Sequence, residues 1–279
     1  MTTSLTGRPT SRRIPTAAAL FVATAACWAY LLLLRSEMGA MGEMPAMDDM
    51  TATGGSGSVF AMPMTAAWSV SDAVLMWTMW AVMMAAMMIP SATPMIQAYN
   101  TTITSASRSR SESHTGSTAL FVAGYLLAWS GFAAAAAGAQ WLLHDASLVD
   151  AMGASTSRWI AGPVLVLAGA YQFSSLKNAC LGKCRTPLGF LLSEWRAGRG
   201  GAFVMGLHHG SLCIGCCWAL MALLFVLGVM NLWWIALVAT VVLIEKVTRN
   251  ALLPRIVGVM LVGWGAVVVT GFIDTGVSA

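Results

Sequence analysis

The chain has 279 residues, of which 58% are hydrophobic and only 9% are charged, and its mean hydropathy is +0.74. A soluble domain of this size would carry roughly a quarter charged residues, so the composition excludes that class. It predicts an all-α, polytopic bundle of transmembrane helices whose surroundings are the lipid bilayer. The net charge of +4 gives no indication of a nucleic-acid partner.

Seven apolar runs approach the roughly 20 residues that cross about 30 Å of hydrocarbon. The sixth is the shortest, and Asn231 is its only start signal, so the alternative is a six-helix bundle. The predicted spans are 14–34, 72–98, 118–143, 159–176, 202–229, 232–244 and 254–273.

The basic residues alternate between the two faces of this bundle. With a cytoplasmic N-terminus, 13 of the 15 Lys and Arg residues lie inside, and only Arg35 and Arg158 lie outside. Because positively charged segments stay cytoplasmic, we predict this orientation in the cell (plasma) membrane.

The first apolar run could be a secretory signal, but its apolar core of about 20 residues exceeds the 7 to 15 that such signals use, so we expect a retained helix.

The resulting organisation of the chain has five parts. The parts are a cytoplasmic tail (1–13), the first helix (14–34), an external loop (35–71), the core bundle (72–273) and an external tail (274–279).

Methionine recurs at every third position in the predicted external loop. Thioether sulfur is a soft ligand that suits Cu(I), so the repeat predicts metal capture outside the membrane, and a low-complexity linker is the alternative. The repeat comprises Met38, Met41, Met44, Met47 and Met50.

The second span carries a further methionine stripe. At 100° per residue, Met83 and Met87 share a helix face with Met76, Met79 and Asp72. The stripe indicates either a thioether path through the membrane or ordinary packing, for which methionine is well suited.

The fifth span contains the densest group of ligands, in the sequence MGLHHGSLCIGCCWALM. Polar groups in lipid are costly and usually functional, and spacings of three, four and seven residues share a helix face. We predict a metal site there, with inert cysteines as the alternative. Its members are Met205, His208, His209, Cys213, Cys216 and Cys217.

The second and fifth spans run in opposite directions, which brings Met87 level with Cys213 and Met83 level with Cys216. If these helices touch, Met, His and Cys ligands converge near the middle of the membrane and favour copper, with zinc as the second metal. Glu245 is expected to accept a hydrogen bond from a ligand histidine or to pair with Lys246.

Two further cysteines, Cys180 and Cys184, follow the fourth span beside basic residues on the cytoplasmic side. They are candidates for a secondary metal or redox site. They either bind Cu(I) by themselves or join Cys213 and its neighbours if the segment folds back.

The core resembles the bacterial family described as predicted metal-binding integral membrane proteins (domain of unknown function 2182). The resemblance covers about 72–246 and rests on DAVLMWTMWAVMMAAMMIPSATPM, on the motif-rich stretch from YQFSSLKNACLGKCRTPLGF to MGLHHGSLCIGCCWALM, and on VLIEK. It implies metal binding without a demonstrated activity. The ligand positions that it implies are His209, Cys213, Cys216, Cys217, Met83 and Met87, with the choice between His208 and His209 left open.

The residues favour Cu(I) capture, storage or transfer over catalysis, since no nucleophile, base and orienting group form a recognisable set. A membrane-bound copper enzyme or a copper chaperone is then the expected partner. One alternative is an accessory subunit of a copper oxidase or monooxygenase, because Gly131 to Gly138 suits helix contacts. The other is a thiol redox protein.

Overall fold

The computed structural model describes residues 13–42, 70–106, 114–146, 158–248 and 250–271. Over these ranges the chain forms helices joined by short turns and contains no strand, which confirms the predicted all-α bundle. The helices are α1 (Arg13–Gly42), α2 (Val70–Ala106), α3 (His114–Asp145), α4 (Arg158–Tyr171), α5 (Ser175–Arg185), α6 (Pro187–Glu194), α7 (Gly198–Ala222), α8 (Leu224–Leu227), α9 (Leu232–Val247) and α10 (Leu252–Thr270).

In the part of the chain that the structure describes, five segments are long and apolar enough to cross a membrane: α1, α2, α3, α7 together with α8, and α10. A sixth arises if α4 and α5, which meet at a bend of 61°, count as one broken span. The predicted sixth span is α9, whose 16 residues reach only about 24 Å. These apolar helices are compatible with a multi-pass membrane protein, with five or six spans by length and composition where the sequence predicted about seven.

Small residues allow α3 and α7 to lie side by side in parallel. Gly206 faces the Phe121 carbonyl, and Gly210 faces Tyr125 and Ala128. A side chain at either glycine would collide with the backbone or side chain of α3, so the glycines permit the close approach. The pair forms the centre of the bundle, and α2 packs antiparallel on α3.

A break after α4 positions the short helix α5. Ser174 caps α5 by accepting a hydrogen bond from the Leu176 backbone N–H at 3.1 Å. From there α5 packs along α7, and α6 follows after Thr186. The C-terminal ends of α4 and α9 lie near the middle of α7, at the level where α5 packs against α7.

The first helix continues past the predicted boundary at residue 34 and ends at Gly42. The backbones of Met38 and Met41 therefore belong to α1 and precede any external loop. Met44, Met47 and Met50 lie outside the described residues, so metal capture by the methionine repeat stays a prediction.

Candidate metal centre

The predicted ligand face of α7 points into the bundle. Met205, His209, Cys213, Cys216 and Cys217 are all buried, with His209 only 3% exposed. They face inward because i, i+3 and i+4 positions share one side of a helix, and that side meets α3, α5 and α9.

Two of the three α7 cysteines direct their sulfurs to the backbone carbonyl of the third. Cys216 Sγ donates to the Cys213 carbonyl oxygen at 3.0 Å, and Cys217 Sγ donates to the same oxygen at 2.9 Å. Side-chain donors three and four residues further along a helix can reach that carbonyl. Three thiols are thus concentrated within one helical turn.

The helix α5 adds cysteines to this group. The Cys184 and Cys216 side chains lie next to each other, and Cys180 lies against Gly215, where any side chain would meet its sulfur. The Tyr171 hydroxyl donates to the Gly215 carbonyl and fixes the end of α4 at the same level. The segment folds back onto α7, and the part that Cys180 and Cys184 take in metal or redox chemistry stays a prediction.

We define the thiol cluster as Cys184, Cys213, Cys216 and Cys217. Cys213, Cys216 and Cys217 are at most 1% exposed, whereas Cys184 is partly accessible and forms the edge of the cluster. All four are free cysteines. Access to the buried sulfurs is therefore most direct past Cys184.

Lys246 from α9 provides a cation in contact with the cluster. Its Nζ donates to Cys213 Sγ at 2.7 Å and to Ser91 Oγ at 3.0 Å. A lysine ammonium has donors and no acceptor, so the sulfur accepts this bond. The Tyr125 hydroxyl lies 3.1 Å from the same sulfur, and α2, α3, α7 and α9 therefore meet at Cys213.

Glu245 has a different partner from either of those predicted. Its carboxylate receives a 2.7 Å bond from Lys177 of α5, and both side chains are buried. Arg185 donates to the Glu245 backbone carbonyl at 2.8 Å. The expectation of pairing with Lys246 or with a ligand histidine is wrong, because the fold-back of α5 brings Lys177 within reach and Lys246 turns toward sulfur.

The histidine doublet divides between two environments. His209 lies among the rings of Phe121, Tyr125 and Phe190, with centroid distances from 5.4 to 6.2 Å. Its Nδ1 has no hydrogen-bond partner within the part of the chain that the structure describes. The His208 side chain is 38% exposed and lies 3.4 Å from Glu194, so His209 is the histidine that lies inside the bundle.

The predicted methionine ligands lie at the edges of this arrangement. Met83 and Met87 are buried in α2, but α2 packs chiefly on α1 and α3, and α3 is the main neighbour of α7. The helix α2 reaches the cluster through intermediate residues, since Ser91 Oγ accepts from Lys246 at 3.0 Å and the Met88 carbonyl accepts from Tyr125 at 3.3 Å. The second and fifth spans meet directly at Trp80, whose ring stacks on Phe225 at a centroid distance of 5.1 Å, and the convergence of Met83 and Met87 with the ligands of α7 stays a prediction.

Met205 also has a local role. Its sulfur accepts a hydrogen bond from the Arg196 backbone N–H at 3.3 Å. This contact ties the start of α7 to the turn that follows α6, and it occupies one lone pair of the thioether.

The donors suit a soft ion, although they are not arranged around one. Among the described residues, no three His, Cys, Asp or Glu side chains converge in the geometry of a metal site. Cys216 and Cys217 instead point to a carbonyl on their own helix. A rotation about χ1 would release both sulfurs, and thiolate donors are those that Cu(I) prefers.

Comparison with known families assigns the chain. A family model described as PpoB2, copper chaperone, matches residues 77–268, which is more than half of the chain. The chain belongs to the PpoB2 copper chaperone family. No curated protein and no solved structure matches it.

Membership in the PpoB2 family supports a copper-related role. The match begins within α2 and ends within α10, so it includes the thiol cluster and excludes α1 and the methionine repeat. The predicted connection with copper is therefore confirmed at the level of the family. The name of the resemblance drawn from the sequence, domain of unknown function 2182, is not confirmed.

Sequence reasoning missed Tyr125 and Ser91 and assigned no metal-site role to Lys246. Lys177 and Lys246 had been counted as cytoplasmic charges, but both are buried. The sequence did indicate that these lysines have partners, because a lysine in an apolar segment usually has a specific one. The identity of that partner depends on which helices pack together.

Proposed function

We propose that this chain binds Cu(I) at the thiol cluster and passes the ion on to a protein acceptor by ligand exchange. The observation that supports it most strongly is the contact between Cys184 of α5 and Cys216 of α7. That contact joins cysteines from two segments into one group of four, inside the region that matches a copper chaperone family.

The chemistry follows from the donors and their burial. Cu(I) prefers soft thiolate and thioether ligands, and two cysteines of the cluster satisfy it without water. Partly exposed Cys184 is the exchange ligand, because an incoming thiolate reaches the ion on that side first. Zinc remains the competing metal, since thiolate sites also hold Zn(II).

His209 is a further candidate ligand that lies outside the thiol cluster. Its unpartnered Nδ1 lies one helical turn from Cys213, and a neutral imidazole nitrogen is a borderline ligand for copper. We assign it a transient role in the entry or release of the ion. Met205, Met83 and Met87 line the surrounding core and are weaker candidates for the same path.

The methionine repeat is proposed to capture copper before it reaches the bundle. Substituting Met44, Met47 and Met50 with leucine keeps the hydrophobicity and removes the thioethers. We expect lower cellular copper uptake at limiting copper and unchanged binding by the purified bundle. Unchanged copper uptake would show that the repeat is a linker and does not capture copper.

The experiment is a Cu(I) competition between the purified protein in mild detergent and a chromogenic chelator, without oxygen. Cys213→Ser and Cys216→Ser are expected to lose the tightly bound ion, and Cys184→Ser to exchange it faster. Cys27→Ser is the matched control, because Cys27 is a free cysteine of α1. Wild-type protein without bound copper, or equal losses in the Cys27 variant, would contradict the proposal.

An accessory role in a copper enzyme complex is the second candidate. Gly131 and Gly138 of α3 have open space where a side chain would lie, and Ala134 and Ala135 between them are exposed. Such a small-residue face suits a neighbouring helix in the membrane. Co-purification of a stoichiometric copper enzyme, lost in Ala134→Leu but retained in Cys213→Ser, would favour this role.

Thiol redox chemistry is the third candidate, because the contact between Cys184 and Cys216 also allows a disulfide. Mass spectrometry after mild oxidation of the copper-free protein would detect that bond. If it forms reversibly while Cu(I) loading fails, the redox role replaces the copper role.

A further inference from the structure

The donors of the thiol cluster do not by themselves choose between metals. Cysteine sulfur binds Zn(II) in closed sites as well as Cu(I). A chain that handles copper therefore needs a second feature that disfavours zinc. Charge is the property that separates the two ions most simply, because one is monovalent and the other divalent.

Among the described residues, Lys246 is the cation that lies directly against the cluster. The Lys246 side-chain nitrogen lies 2.7 Å from Cys213 Sγ, and Lys246 is only 8% exposed. Ser91 accepts a second bond from it at 3.0 Å. The ammonium is thus anchored from α2 as well as from α7, and it can stay beside the sulfur when an ion arrives on another side of that atom.

Within the ranges that the structure describes, no carboxylate contacts the Lys246 side chain. Lys177 and Glu245 form a buried pair at 2.7 Å and cancel each other. Arg185 directs its guanidinium to the backbone carbonyls of Glu245 and Asn250. Among the described residues, the sulfurs of the thiol cluster are therefore the groups left to balance the charge of Lys246 when they become thiolates.

We infer that Lys246 is a specificity-determining residue that makes the cluster select monovalent Cu(I) over divalent Zn(II). The inference rests on the proposed function. Two thiolates, the ammonium and one Cu(I) have no net charge together, whereas Zn(II) in the same place leaves one excess positive charge. An uncompensated charge is costly in a buried, low-dielectric site, so the fixed cation penalises zinc.

Two substitutions separate charge from packing. Lys246→Gln keeps a hydrogen-bond donor but removes the charge, and Lys246→Arg keeps the charge. Each protein is incubated without oxygen with equimolar Cu(I) and Zn(II), and both metals are measured by mass spectrometry after desalting. Lys183→Gln is the matched control, since Lys183 pairs at the surface with Glu194 at 3.8 Å.

We expect the ratio of bound Zn(II) to Cu(I) to rise at least about tenfold in Lys246→Gln and to stay at the wild-type value in Lys246→Arg and Lys183→Gln. An unchanged ratio in Lys246→Gln, with Cu(I) still bound, overturns the inference and leaves the proposed function standing. Wild-type protein that binds neither metal contradicts the proposed function instead. Wild-type protein that takes up both metals equally contradicts the inference alone.

A second variant covers the case in which Lys246→Gln does not fold. Ser91→Asp places a carboxylate beside the ammonium and cancels its charge without altering Lys246. We expect it also to raise the ratio of Zn(II) to Cu(I). A wild-type ratio in folded Ser91→Asp would overturn the inference.

Discussion

The Lys246 side-chain nitrogen lies 2.7 Å from the Cys213 sulfur, and both residues are buried. The contact joins the C-terminal end of α9 to the middle of α7, where α5 supplies Cys184. The cluster is therefore a product of tertiary packing as well as of the α7 motif. Its stability and its chemistry can be tested separately.

The buried pair of Lys177 and Glu245 should hold α5 in place. Removing one member leaves an unpaired buried charge, which costs about 3–5 kcal/mol. We expect Lys177→Met to lower the free energy of unfolding by that amount, measured by thermal or denaturant unfolding in detergent.

The double variant Lys177→Met with Glu245→Gln is the control for that pair. It removes both charges, so it should recover much of the stability that the single variant loses. Equal losses in the single and double variants would show that the ion pair does not fix α5.

We expect His209 to lower the stability of the copper-free protein and to contribute to Cu(I) transfer. Its buried Nδ1 has no partner among the described residues, and an unsatisfied buried polar group costs about 1–3 kcal/mol. We expect His209→Phe, which keeps the ring contacts, to stabilise the copper-free protein by a similar amount. It should also slow Cu(I) transfer to a chelator at least about tenfold, an effect of about 1.4 kcal/mol.

His208→Phe is the comparison, because the His208 side chain is 38% exposed. It should change neither the stability nor the transfer rate appreciably. Slower transfer in the His208 variant than in the His209 variant would reverse the assignment of the doublet.

The close approach of α3 and α7 depends on Gly206. A methyl group there would collide with the Phe121 backbone, so Gly206→Ala should destabilise the protein by several kcal/mol, on the order of other overpacked cores. Gly263→Ala in α10 meets open space and should be neutral or stabilising by up to about 1 kcal/mol. Unfolding of the two variants under identical conditions compares them directly.

Cys184 should be the cluster cysteine that reagents reach first. It is partly accessible, whereas the three cysteines of α7 are buried. We expect N-ethylmaleimide to modify Cys184 before those three in copper-free protein, and Cu(I) loading to slow that modification. Peptide mass spectrometry would follow each site, and equal labelling with and without copper would remove Cys184 from the exchange path.

Features encoded within single segments could be predicted from the sequence. Apolar runs gave the main helices, and helical spacing put Met205, His209, Cys213 and Cys216 on one face, which the structure buries. Both depend only on local periodicity. The short α9 was also identified, although its length is less than a membrane crossing requires.

Features that depend on contacts between helices could not be predicted. Lys246 pairs with Cys213 and Glu245 with Lys177, and nothing in the sequence ranks those partners above a direct pairing of Glu245 with Lys246. The contact of Cys184 with Cys216 requires the 61° bend between α4 and α5. The partner of each buried polar group depends on how whole helices pack, because packing determines which groups come within hydrogen-bonding distance.

Copper X-ray absorption on the Cu(I)-loaded protein tests the central claim most directly. We predict a first coordination shell of sulfur that changes in Cys216→Ser and stays the same in Cys27→Ser. A shell of nitrogen and oxygen, or a sulfur shell that Cys216→Ser leaves intact, would contradict Cu(I) binding at the thiol cluster.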